Sequence, residues 1–221
     1  MTKLTSIAFL GLLALAGPAL AAPQVERLRG TIEKTESGTV TIRTDDGAAR
    51  TVALADDTRI SSLVPASLDG VRDGSYIGTA TKDGDPPVAL EVLIFPEALR
   101  GAGEGHRPWD ALPDTTAGGA PVESRMTNGT VRPPEVQTRM TNGTVGTRKA
   151  GDGTTLLTVG YGGGKALTVA VPPGTPVVTL EPGSRALLVA GAKVFVIASR
   201  DGDRLEGRSI SVGKDGLRPP M

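Results

Sequence analysis

Along most of the chain, apolar β-branched residues alternate with polar ones in short runs, and turn-forming residues separate the runs. Leu28 to Lys34, Thr39 to Arg43 and Thr51 to Leu54 read as a three-stranded meander. Glu36-Ser37-Gly38 and Asp45-Asp46-Gly47 are the turns between them. The second suits a hairpin, because Asp-Gly supplies the positive φ that a two-residue loop requires. Asp56-Asp57-Thr58 closes the meander, and Leu63 to Val71 is expected to form one short helix. Ser75 to Thr81 and Val88 to Phe95 give a fourth and a fifth strand around a turn at Lys82 to Pro87. Long helical periodicity is absent.

The pattern then repeats. Gly164 lies 117 positions after Gly47, and the same shift pairs Thr41 with Thr158, Val52 with Val169, Thr58 with Thr175, Leu63 with Leu180 and Gly74 with Gly191. One residue more pairs Asp83-Gly84-Asp85 with Asp201-Gly202-Asp203. Turn chemistry and core pattern are independent constraints, so their keeping step argues for an internal duplication. Five strands with a helix between the third and fourth is the pattern of an OB-type Greek-key barrel. The expected fold is all-β: two tandem OB-like barrels over 22–96 and 138–216, a Gly/Pro-rich connecting loop over 97–137, and a tail over 217–221. One continuous sandwich of all ten strands is the alternative.

Composition narrows the function classes. The absence of cysteine removes disulfides, thiolate metal sites and a cysteine nucleophile. Equal numbers of basic and acidic residues, 24 each, and only 3% aromatic residues argue against nucleic acid as partner. At the N-terminus, Lys3 precedes an apolar run from Leu4 to Ala16, and Pro18 leads into Ala19-Leu20-Ala21. That is the pattern of an export leader over residues 1–21, cleaved after Ala21, which implies a periplasmic or secreted mature chain. No later stretch is long and apolar enough to cross a membrane as a helix.

The unusual residues gather in the connecting segment. The only His and the only Trp of the chain fall in Gly103-Glu104-Gly105-His106-Arg107-Pro108-Trp109-Asp110. Further on, Arg125-Met126-Thr127-Asn128-Gly129-Thr130-Val131 recurs 14 positions later from Arg139. One copy is expected to start the second barrel, matching Leu28-Arg29-Gly30-Thr31-Ile32, as a strand that begins after an Asn-Gly turn. Gly160-Tyr161-Gly162-Gly163-Gly164-Lys165-Ala166 lacks the first glycine and the hydroxyl of a phosphate loop and reads as a hairpin. The Asp83/Asp85 and Asp201/Asp203 clusters lack the spacing of a calcium loop and read as turn tips.

Rare side chains on a loop above a plain scaffold suggest recognition. The expected binding residues are Glu97, Arg100, Glu104, His106, Arg107, Trp109 and Asp110, the partner an unidentified protein or small ligand of the cell envelope. Trp109 is expected to fill an apolar gap, with Arg100, Arg107 and Asp110 pairing at its rim. No enzymatic activity and no cofactor are expected. Two alternatives remain: a metal-binding accessory protein using Glu104, His106 and Asp110, and a hydrolase using His106 as base.

Arg29-Gly30-Thr31-Ile32, Ala55-Asp56-Asp57-Thr58, Ile94-Phe95-Pro96-Glu97, the Gly103–Asp110 stretch and Met-Thr-Asn-Gly-Thr-Val together resemble a group of exported proteobacterial proteins of unknown function. That group carries OB-like small barrels, and some relatives are labelled metal transporter permeases. The resemblance implies a fold and a compartment, not an activity. The permease label conflicts with the residues, since a permease needs several spanning helices.

Overall fold

The computed structural model describes residues 24–133, 148–149 and 152–220. The expected leader and the second Met-Thr-Asn-Gly-Thr-Val copy lie outside the described residues. The strands are β1 (Gln24–Glu36), β2 (Thr39–Thr44), β3 (Ala49–Pro65), β4 (Tyr76–Lys82), β5 (Val88–Ile94), β6 (Gly105–Pro108), β7 (Leu112–Pro113) and β8 (Pro121–Val122). They continue with β9 (Arg125–Arg132), β10 (Arg148–Lys149), β11 (Thr155–Tyr161), β12 (Lys165–Val171), β13 (Val177–Pro182), β14 (Lys193–Asp201) and β15 (Arg204–Gly213). Short 3-10 turns are the only helical elements among the described residues. The protein is all-β, as its alternation predicts.

β1, β2, β3, β15 and β14 close into a five-stranded barrel. Its pairings are antiparallel except β3–β15, which is parallel. A second ring of pairings runs β9–β4–β5–β12–β11 and returns to β9, with β5–β12 reduced to one parallel bridge between Val88 and Ala170. The pairing therefore crosses the boundary expected between 22–96 and 138–216. β1 to β3 close with the last two strands of the chain, while β4 and β5 join the strands of the second half. The cause lies in β3. It has 17 residues, reaching about 55 Å at 3.3 Å per residue, and it carries the chain out of the first ring.

Leu63 and Val64 continue β3 as buried strand residues, so the helix expected over Leu63 to Val71 shrinks to a 3-10 turn at Leu68–Gly70. Asp56-Asp57-Thr58 does not end the strand either. The β3–β15 register slips between Gly207 and Ser209, so the ladder passes from Leu54 to Arg59 and leaves 55–58 as a bulge. Beyond it, β3 pairs antiparallel with β13: Leu63 with Leu180, flanked by Pro65 with Val178 and Ser61 with Pro182. Leu180 is the repeat equivalent of Leu63, so the central pair joins a position to its own copy. That is the isologous signature of a two-fold axis. The same operation relates Ile60–Ile210 to Val177–Val92.

Leu28, Ile42, Val52, Val196 and Ile210 fill the barrel, with Leu188 packed among them. Ile77, Val92, Val131, Leu157 and Val169 fill the second ring, together with Val71. A third cluster, Leu63, Leu93, Val178 and Phe195, lies at the seam between the two, with Phe95, Trp109 and Leu180 packed against it.

The segment expected as a 97–137 loop is built structure from Glu97 to Arg132: a 3-10 turn, β6, the β7–β8 hairpin, and β9. The first strand of the second ring is thus the 125–131 motif copy, ahead of the expected start at 138. Asn128-Gly129 sits inside β9, not in a turn. Glycine is required there because a Cβ on Gly129 would lie 2.2 Å from the Gly160 carbonyl oxygen. Gly30 meets Arg43 the same way at 2.1 Å, and Arg43 is 117 positions before Gly160. The hairpins expected around Asp45-Asp46-Gly47 and Gly162-Gly163-Gly164 form, the latter bracketed by the Tyr161–Lys165 pair.

Candidate functional site

The seam opens into a cavity of about 470 Å³. β5 contributes Leu93, with Phe95 and Pro96 just beyond it; β13 contributes Leu180 and Glu181; β14 contributes Phe195 and Ile197. Arg59, Ile60 and Ser61 come from β3, Ser209 and Ser211 from β15, and Met126 and Asn128 from β9. The excursion after β5 closes the remaining side with Ala98, Leu99, Ala102, Gly103, Arg107 and Trp109. Volume and lining fall in the range of small-molecule sites, which are mostly apolar with a few placed polar groups.

The excursion is pinned from below. Tyr76 Oη and Asn128 Nδ2 both donate to the Ala102 carbonyl, each at 3.1 Å. Arg100 donates to Glu97 and to the Gly74 carbonyl. Farther along, Lys82 donates to Asp114 at 2.7 Å and the Thr115 hydroxyl donates to the Leu90 carbonyl, fixing the β7–β8 hairpin. The hydrogen bond from Lys82, then those from Thr116, hold the Asp114 carboxyl down at about 2.

Trp109 is the anchor of this wall. Its ring lies 6.5 Å from that of Phe195 and carries the Arg27 guanidinium 4.2 Å from its centroid and that of Arg107 at 5.4 Å. Arg27 also donates to both Asp110 carboxylate oxygens, at 3.0 and 3.1 Å from Nε and 2.7 Å from Nη2. Arg29 Nη1 reaches Asp110 Oδ2 at 2.7 Å, and its guanidinium stands over Phe195. Burial pushes the Asp110 carboxyl up, but the bonds from Arg27 and Arg29 outweigh it and hold the group below its ordinary range. Arg107 donates to the Gly103 carbonyl at 2.7 Å. Burial, then repulsion from Arg27, lowers the Arg107 pKa.

Of the seven residues expected in a binding site, Arg107 and Trp109 line the cavity. Glu97, Arg100, Glu104, His106 and Asp110 do not. Alternation along β6 explains the split: Arg107 is half-buried on the cavity side, while His106 is exposed and paired beside Thr127. His106 Nδ1 is 2.8 Å from Thr127 Oγ1, and its ring stacks on Tyr161 at 5.9 Å. Burial, then the Arg125 charge, lowers its pKa. The Glu104, His106 and Asp110 set is not assembled: no group of three His, Cys, Asp or Glu among the described residues is placed to hold a metal. Asp110 is engaged by two guanidiniums instead.

Among the cavity residues that composition did not single out are Arg59, Phe95, Phe195 and Asn128. A signal for three of them existed. Shifted by 117, Phe195 falls on Gly78; shifted by 118, Phe95 falls on Gly213; and β9 aligned on β1 puts Asn128 on Arg29. These are places where the duplication changes chemistry. One buried carboxyl stands nearby: Glu91 on β5 is 2% exposed, with no hydrogen-bond partner for either oxygen. Burial pushes it up to about 8, against the pull of Arg29.

No helix among the described residues is long and apolar enough to cross a membrane. No family model, curated protein or solved structure matches the chain.

Proposed function

We propose that the protein is a non-catalytic binding protein of the cell envelope, exported on its N-terminal leader, that holds a small apolar molecule in the cavity at its seam. The ring orders β1-β2-β3-β15-β14 and β9-β11-β12-β5-β4 support reading the scaffold as a duplicated OB plan with exchanged strands. The observation that carries the reading is the cavity itself. Strands of both rings and the pinned excursion converge on one concave, aromatic-walled space of about 470 Å³. Such a space is the default binding site of a fold. The only His of the chain is not on its wall. The wall hydroxyls of Ser61 and Ser211 hydrogen-bond each other at 3.1 Å. Neither the metal-binding nor the hydrolytic alternative gains an observation in its favour.

Trp109 is the sole tryptophan and lines the cavity, so its emission reports on occupancy. Titration with the neutral dye N-phenyl-1-naphthylamine is expected to quench Trp109 with a stoichiometry of one dye per chain. Ala98→Phe places bulk on an exposed lining position and is expected to abolish uptake with the unfolding midpoint retained. Absence of dye uptake by the native protein, or unchanged uptake by the blocked variant, overturns the reading.

A further inference from the structure

We infer that the ligand is a free single-chain amphiphile with one anionic head group, a medium-chain carboxylate, held by Arg107 and Arg59 with its apolar tail against Trp109, Phe95 and Phe195. The inference rests on the binding reading above and adds its charge and shape. The wall is apolar save at a few points, and among the described residues the charged side chains on it are Arg59, Arg107 and Glu181. Arg59 and Glu181 are exposed and Arg107 is half-buried, so the charges are not at the apolar depth of the space.

Among the described residues, neither arginine has a carboxylate partner. Arg107 spends one donor on the Gly103 carbonyl and shares the Trp109 ring with Arg27, a like charge. A guanidinium presents five donors in a fork that matches a carboxylate. Arg107 thus holds donors beyond the one that Gly103 takes, beside a second cation, at an apolar cavity. Asp110 cannot serve it, since that carboxylate already accepts from Arg27 and Arg29. Glu91 adds little negative charge at neutral pH, because burial pushes its carboxyl up to about 8 against the pull of Arg29. The wall itself carries Arg59 and Arg107 against Glu181, and behind Trp109 and Phe195 two arginines, Arg27 and Arg29, share the single carboxylate of Asp110. That balance favours an anion and disfavours an amine. At about 30 Å³ per water-sized group, the cavity of about 470 Å³ takes roughly fifteen groups, so a ten-carbon chain and its carboxylate fit within it.

The test is a head-group series of one chain length. Decanoate, decanol and decylamine are titrated below their aggregation limits into the full chain by calorimetry. Decanoate is expected to bind about tenfold tighter than decanol, the effect of charge-assisted hydrogen bonds, with decylamine weakest. Arg107→Gln with Arg59→Gln is expected to erase the preference for decanoate while decanol binds as before. Arg59→Gln alone, at an exposed position, is expected to reduce the preference and covers the case in which the double variant does not fold. Equal binding of decanoate and decanol, or a preference that survives the variants, overturns the inference and leaves the binding reading intact. Failure of all three ligands to bind overturns both.

Discussion

In the barrel closed by β14, Arg29 faces Phe195 across the β1–β14 ladder; at the equivalent place in the second ring, Asn128 faces Gly78 across β9–β4. The backbone plan is shared and the side chains are not. A cation over a large ring stands on one side, a small amide over no side chain on the other. Asn128 and Phe95 together fill the space that Gly78 leaves, Asn128 Oδ1 at 2.6 Å and a Phe95 ring carbon at 3.1 Å from where a Cβ would stand. The continuations differ as well. After β15 the chain makes one 3-10 turn and packs Leu217 against the seam. After β5 it makes the pinned excursion that walls the cavity. The cavity thus lies where the two rings diverge, while the shared positions hold the scaffold.

The largest expected effect tests the shared part. Gly30→Ala and Gly129→Ala each drive a Cβ into a backbone oxygen at 2.1–2.2 Å. Each is expected to cost about 3–5 kcal/mol in urea unfolding, at the high end for single substitutions. Similar losses sharpen the equivalence of the two strand crossings. A tolerated substitution at either breaks it.

The seam pair comes next. Leu63 is fully buried and Leu180 only partly so, although they are equivalent in the repeat and face each other. Leu63→Ala is expected to cost about 3 kcal/mol and Leu180→Ala about 1. The double variant should lose less than the sum, since contacting residues couple. Equal single losses would mean that the cavity beside Leu180 is closed in solution.

Much of the scaffold could be read from residues alone. The 117-residue offset located most strands, both glycine hairpins and the two Leu positions that meet at the seam, because turn and core signals are local. Strand exchange was not legible. Which β-hairpin closes a barrel is decided by how far β3 runs, and Leu63-Val64 before Ser67 reads equally as a helix start. Rarity in the sequence found Arg107 and Trp109. It also drew in His106 and Glu104, which strand alternation and exposure place off the wall. Phe95 and Phe195 look like ordinary core residues until each is set beside the glycine in its repeat position.

The third effect concerns Glu91, whose repeat equivalent is Ser209, a residue with no charge to lose. A carboxyl raised to about 8 in the folded chain stays protonated where the unfolded chain, near the ordinary 4.5, is ionised. Folding then takes up a proton between those values, so stability falls as pH rises through that window, by at most about 1.4 kcal/mol per pH unit. Glu91→Gln is expected to flatten the slope and to be the more stable protein at pH 8, measured by unfolding at pH 5, 6.5 and 8. Parallel slopes for the two proteins would mean that water reaches the carboxyl.

Asp110 has the opposite sign and the smallest effect. Its folded pKa is depressed, so its contribution is present above the unfolded value of about 3.9 and lost as pH falls through the folded one. The carboxylate is about a quarter exposed, which screens the two guanidinium bonds and leaves Asp110→Asn a cost of about 1 kcal/mol at pH 7. Once pH falls below that depressed folded value the difference should vanish, because both side chains are then neutral. The substitution also probes the divergence between the halves. Asp110 belongs to the excursion while Arg27 and Arg29 belong to β1, so this ion cluster ties the added wall to the barrel. If the wall is held mainly there, Asp110→Asn weakens dye uptake along with stability; if packing of Trp109 and the Lys82–Asp114 pair hold it, stability drops and uptake stays.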